Sequence, residues 1–100
     1  MKKVDLKITI DSNSRRIEYI LIENRNYPSS FFNRENGEWV GEIKDLQIGD
    51  DNDLDIIIIV AGNPGLQSEM EVIIDNDPKG KFKMYKPFNR NGYGQFNEEI

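Results

Sequence analysis

The chain has 100 residues, 18 acidic and 13 basic, with neither histidine nor cysteine. That length suits one domain with a modest core, read as residues 1–100, and excludes two. The missing residue types exclude disulfides, thiolate chemistry and histidine-based catalysis or metal binding, while 37% hydrophobic residues are too many for a disordered chain.

In chain order, residues 4–10 alternate, with Val4, Leu6, Ile8 and Ile10 on one face of a first strand. Two early lysines lead into this alternation rather than into the unbroken apolar segment of a signal peptide. Asp11-Ser12-Asn13-Ser14 reads as a turn, and residues 17–22 as a second strand, apolar on both faces and therefore central in its sheet. Tyr27-Pro28-Ser29-Ser30 then connects to a hairpin in which residues 31–35 and 38–43 flank Asn36-Gly37, the dipeptide that supplies the positive φ angles of a type I′ turn. A two-residue loop there sets Arg34 opposite Trp39 as a cation–π pair. It also sets Phe32 opposite Gly41, where the ring covers the surface the glycine leaves bare.

Residues 53–60 read as a buried strand, 69–75 as an alternating strand with Met70, Val72 and Ile74 inward, and 80–86 as another with Phe82 and Met84 inward. Asn63-Pro64-Gly65 between the first two has the residues of a type II turn, and Asn76-Asp77-Pro78 separates the last two. No stretch of ten or more residues carries the roughly 3.6-residue period of a helix. The pattern predicts an all-β fold, an antiparallel two-sheet sandwich of six or seven strands. In size and strand count it compares with immunoglobulin-like or C2-like domains, and a small β-barrel is the alternative. The isoleucines at 56–59 place their strand inside a sheet with 69–75 as one neighbour, because an edge with that surface would template aggregation. The apolar run 56–61 is far short of the roughly 20 residues that span a bilayer, and no Asn-x-Ser/Thr acceptor occurs. Cytoplasmic residence without a membrane partner is the resulting expectation.

Charge is segregated. Residues 1–37 carry seven basic and five acidic side chains, residues 38–77 one and eleven, and residues 78–100 five and two. Pairing 53–60 with 69–75 so that Val60 meets Met70 would bring Asp55 opposite Asp75 and Asp53 opposite Asp77, with Asp51 close by. Like charges across a strand pair repel, so such a cluster calls for solvent, neighbouring Lys79 and Lys81, or a bound cation. Calcium is the natural candidate, as a hard ion that takes oxygen ligands from flexible loops. Asp51-x-Asp53-x-Asp55 starts like an EF-hand loop, but position six is Ile56 rather than glycine and position twelve is not glutamate, which excludes that motif. Asp51, Asp53, Asp55, Asp75 and Asp77 are the candidate metal ligands, and a solvated acidic turn is the plainer reading.

Residues 79–96 interleave lysines and Arg90 with Phe82, Tyr85, Phe88, Tyr93 and Phe96, the ingredients of a single-stranded nucleic-acid platform. Strand alternation accounts for this more simply, with Phe82 and Met84 inward, Lys81, Lys83 and Tyr85 outward, Glu71 opposite Lys83 and Ile73 opposite Lys81. A net charge of −5 also argues against a polyphosphate ligand. Tyr27, Phe31, Phe88, Tyr93 and Phe96 lie near loops, where several exposed together would stack on a carbohydrate or dock a protein. Five serines without a histidine, and no phosphate loop, nucleophile elbow or dinucleotide fingerprint, leave catalysis without a constellation. The expected function is a non-catalytic protein-interaction module, an adaptor, accessory subunit or inhibitor, without nucleic acid or an obligatory cofactor. A calcium-dependent ligand- or carbohydrate-binding sandwich is the alternative.

Overall fold

In the computed structural model, which describes residues 2–49 and 53–100, period-2 alternation becomes nine strands among the described residues. They are β1 (Lys2–Ile10), β2 (Ser14–Ile22), β3 (Arg25–Tyr27), β4 (Asn33–Glu35), β5 (Glu38–Ile48), β6 (Asp55–Gly62), β7 (Glu69–Ile74), β8 (Asp77–Lys83) and β9 (Tyr93–Glu99). Five form one antiparallel sheet in the order β4-β5-β1-β7-β8, and four form another in the order β3-β2-β6-β9. The two sheets pack as a sandwich around one apolar cluster, and neither closes into a barrel. Strands β3 and β9 are additional to the seven that the alternation predicts.

Two-residue loops with both φ angles positive close three hairpins: Glu23-Asn24, Asn36-Gly37 and Asp75-Asn76. Such type I′ geometry matches the right-handed twist of the strands it joins. The third loop corrects the expected separator at 76–78. Asp77 and Pro78 are already inside β8, and the cross-strand pairs become Glu71 with Lys81 and Glu69 with Lys83, two residues from the expected register. Proline is tolerated there because β8 is an edge strand and its missing N–H breaks no central ladder. The Asn63-Pro64-Gly65 turn forms as expected, with Gly65 at φ +86° and the Leu66 N–H donating to the Asn63 carbonyl at 3.2 Å.

The Asn36-Gly37 hairpin sets Arg34 against Trp39, with the guanidinium carbon 4.6 Å from the ring centroid. Gly41 is covered by Phe31 rather than Phe32. A 3-10 turn at Ser29–Phe31 ends the ladder at Asn33, and a Cβ on Gly41 would overlap the Phe31 ring. Phe32 goes into the core instead.

Strand β2 is apolar at positions that simple alternation assigns to both faces. Two bulges, between Ser14 and Arg16 and between Ile17 and Tyr19, shift the phase, so Ser14, Ile17, Ile20 and Ile22 are all buried. Tyr19 and Leu21 are left on the outer side.

The isoleucine strand β6 lies inside its sheet, but between β2 and β9 rather than beside residues 69–75. Strand β7 belongs to the opposite sheet, between β1 and β8. Both strands bury alternate residues in the same core, and a period of two is the same whether two strands pair edge to edge or face each other across a sandwich. Ile20, Ile58 and Phe96 stand side by side on β2, β6 and β9, and the facing sheet contributes Leu6, Ile8, Ile10, Met70 and Val72, all fully or almost fully buried.

Candidate functional site

The hairpin that would have gathered the aspartates is absent. Asp55 opens β6 in the four-stranded sheet, opposite Glu99, whereas Asp75 lies in the β7–β8 turn of the five-stranded sheet and Asp77 directly follows that turn. Asp53 precedes β6, and Asp51 lies outside the described residues. The Asp75 and Asp77 carboxylates serve separate local roles. Asp75 Oδ1 accepts the Asp5 N–H at 2.8 Å, and Asp77 Oδ2 is 2.9 Å from Lys79 Nζ. The Asp55 N–H donates to Glu23 Oε1 at 2.8 Å. Among the described residues no three His, Cys, Asp or Glu side chains form a group able to hold a metal ion.

The five loop aromatics do not form one exposed patch either. Phe88 and Phe96 are buried in the core, and Tyr27 and Phe31 pack on each other, 5.3 Å between centroids, half-buried against that core, so of the five only Tyr93 is substantially exposed. Sequence proximity to loops did not separate rings that anchor a loop from rings that it displays.

A serine–carboxylate cluster looks chemical but is structural. Ser14 Oγ donates to Ser68 Oγ at 2.8 Å, Ser68 Oγ donates to Asp11 Oδ1, and Asp11 Oδ2 accepts the Glu69 N–H at 3.0 Å. Trp39 Nε1 donates to the Ser14 carbonyl. Both serines have 0% exposure, so no substrate reaches their hydroxyls, and the network ties β2 to the start of β7 across the sandwich.

The surface feature that stands out is the contrast between the two outer faces. Across the five-stranded sheet run the rows Glu42, Lys7, Ile73 and Val40, Thr9, Glu71, Lys81, in which charges of opposite sign are interspersed. Across the four-stranded sheet run Leu21, Ile57, Asn97, then Tyr19, Ile59, Gln95, then Arg16, Ala61, Tyr93. Of four exposed large apolar or aromatic side chains among the described residues, Tyr19 (41%), Tyr85 (78%) and Tyr93 (44%) lie on this second side.

The segment between β8 and β9 deepens that face into a groove. Met84 and Phe88 are both buried, Met84 fitting beneath Gly94, where an added Cβ would come within 2.7 Å of its Cε. The Tyr85 N–H donates to the Gln95 carbonyl and the Phe88 N–H to the Leu66 carbonyl, each at 2.9 Å. Anchored at both ends, the intervening residues arch outward, and Tyr85, Lys86 and Pro87 form one wall of a cavity of about 340 Å³ whose other side is Ile59, Tyr93 and Gln95. Next to it a more polar hollow of about 380 Å³ is lined by Arg15, Arg16 and Asn91. Sequence reading set Tyr85 outward, as observed, but missed Ile57 and Ile59 as outer-face residues. The available signal was the double-faced apolar character of 56–59, which marks both an interior strand and a sheet face left without a third layer.

Comparison with protein-family models, curated proteins and solved structures finds no match to this chain. Among the described residues no helix is long and apolar enough to cross a membrane.

Proposed function

We propose that this chain is a non-catalytic protein-docking module that engages its partner through the outer face of the four-stranded sheet. One observation carries the reading: Tyr19, Leu21, Ile57, Ile59, Tyr85 and Tyr93 share a face, while the opposite face carries interspersed charges. Water contact along such a face is costly, and association removes it at about 25 cal/mol per Å² of apolar surface. Tyrosine suits this role because its ring supplies contact area and its hydroxyl stays hydrated in the free state. The cluster of buried serines has no accessible nucleophile, which favours binding over catalysis.

Site-specific photo-crosslinking tests this reading. With a photoreactive phenylalanine analogue replacing Tyr93 or Thr9 in turn, the docking reading expects a discrete cross-linked protein from position 93 and none from position 9. A discrete product from position 9 alone would move the interface to the other sheet and overturn it.

A further inference from the structure

We infer that the groove between β9 and residues 85–87 takes an extended acidic peptide segment that places one aromatic or branched apolar side chain against Ile59, Tyr85 and Tyr93. This rests on the docking reading above and specifies the partner's chemistry.

The charge around the groove is opposite in sign to that of the chain. Residues 56–67 and 84–97 contain no acidic side chain, although the whole chain carries −5. Lys86 forms part of the groove wall, Arg90 follows Asn89 on the same loop, and Arg16 stands in one row with Ala61 and Tyr93. Arg15 and Arg16 line the adjoining hollow. Among the described residues, Glu18 pairs with Arg16 Nε at 2.8 Å and offsets part of this charge. At the far end of the same face Asp55 and Glu99 stand opposite each other. The face is therefore cationic at the groove and anionic at the other end of β6, which favours a ligand whose carboxylates gather beside its anchor.

Size and shape select the form of the ligand. A cavity of about 340 Å³ accommodates one large side chain with its flanking backbone. A helix, about 10–12 Å across, does not enter it. Single-stranded nucleic acid would also find tyrosines and arginines here, but Ile59 and Pro87 offer a phosphodiester chain nothing, and the net negative charge of the protein repels a polyanion at longer range.

The experiment is selection of random dodecapeptides displayed on phage against the full chain. Selected peptides are then re-tested on Ile59→Lys and on the triple variant Arg16→Glu, Lys86→Glu, Arg90→Glu, whose altered side chains are half-buried or exposed and whose folding is checked by thermal melting. The expected result is enrichment of Asp and Glu beside an aromatic or branched residue, with affinity falling more than about tenfold on the triple variant and weakening with salt. Absence of enrichment, peptides without acidic bias, or equal binding to the triple variant overturns the inference. Tighter binding of a labelled oligothymidylate than of the best peptide on the same face also overturns it. Non-acidic peptides that are lost on Ile59→Lys would refute the acidic ligand while leaving the docking face standing. Peptides held equally by Ile59→Lys would remove both.

Discussion

Ile58 and Ile59 are neighbours in the chain with opposite fates. Ile58 is fully buried between Ile20 and Phe96, and its replacement by alanine should cost about 2–5 kcal/mol in chemical denaturation, through lost transfer energy and the cavity left behind. Ile59 lies on the outer face, where a lysine can extend its stem along the sheet and its ammonium into water, so Ile59→Lys should change stability by less than about 1 kcal/mol. That Ile58 belongs to the core was legible from alternation. That Ile59 is left open to water was not, because both faces of 56–59 are apolar and only the absence of a third layer distinguishes them. Asp11 offers a second contrast. Its carboxylate accepts from Asn13 N–H, Ser68 Oγ and Glu69 N–H, so Asp11→Ala strands a buried hydroxyl and should cost about 1–3 kcal/mol by the same measurement. Two of those partners are more than fifty residues away in sequence, beyond the reach of any local turn pattern.

At the scale of elements, the three type I′ hairpins differ in how visibly they are encoded. Asn36-Gly37 is the strongest short hairpin signal and set its register correctly, down to Arg34 against Trp39. Glu23-Asn24 and Asp75-Asn76 place a non-glycine residue at both positive-φ positions and give a weaker signal, which is why β3 and the start of β8 were not foreseen. Gly37, at φ +84°, should therefore tolerate alanine poorly: Gly37→Ala is expected to cost about 1 kcal/mol, read as a fall of several degrees in melting temperature. A double-mutant cycle on Arg34 and Trp39 should return a coupling of about 0.5–1 kcal/mol for their exposed cation–π contact. Strand β9 was hidden for another reason. Its inward positions are Gly94, Phe96 and Glu98, so the apolar period is reduced to one residue, and the strand is held by pairing with β6 and by the fit of Met84 beneath Gly94.

For the molecule as a whole, the sandwich architecture was legible and the assignment of strands to sheets was not. Alternation reports that a strand has a core-facing side. It does not report whether its neighbour sits beside it or across the core, and that ambiguity is what separated Asp55 from Asp75 and dispersed the expected aspartate cluster. The same assignment creates the sidedness on which function is read here, since β2, β6 and β9 bring Tyr19, Ile59 and Tyr93 to one uncovered surface. Opposed charge insertions test that sidedness most directly. Affinity for the protein cross-linked through position 93 is measured for Ile59→Lys and for Thr9→Lys, each confirmed folded by its melting curve. The docking face predicts a loss of more than about tenfold for Ile59→Lys and unchanged affinity for Thr9→Lys; retained affinity in Ile59→Lys together with loss in Thr9→Lys would contradict it.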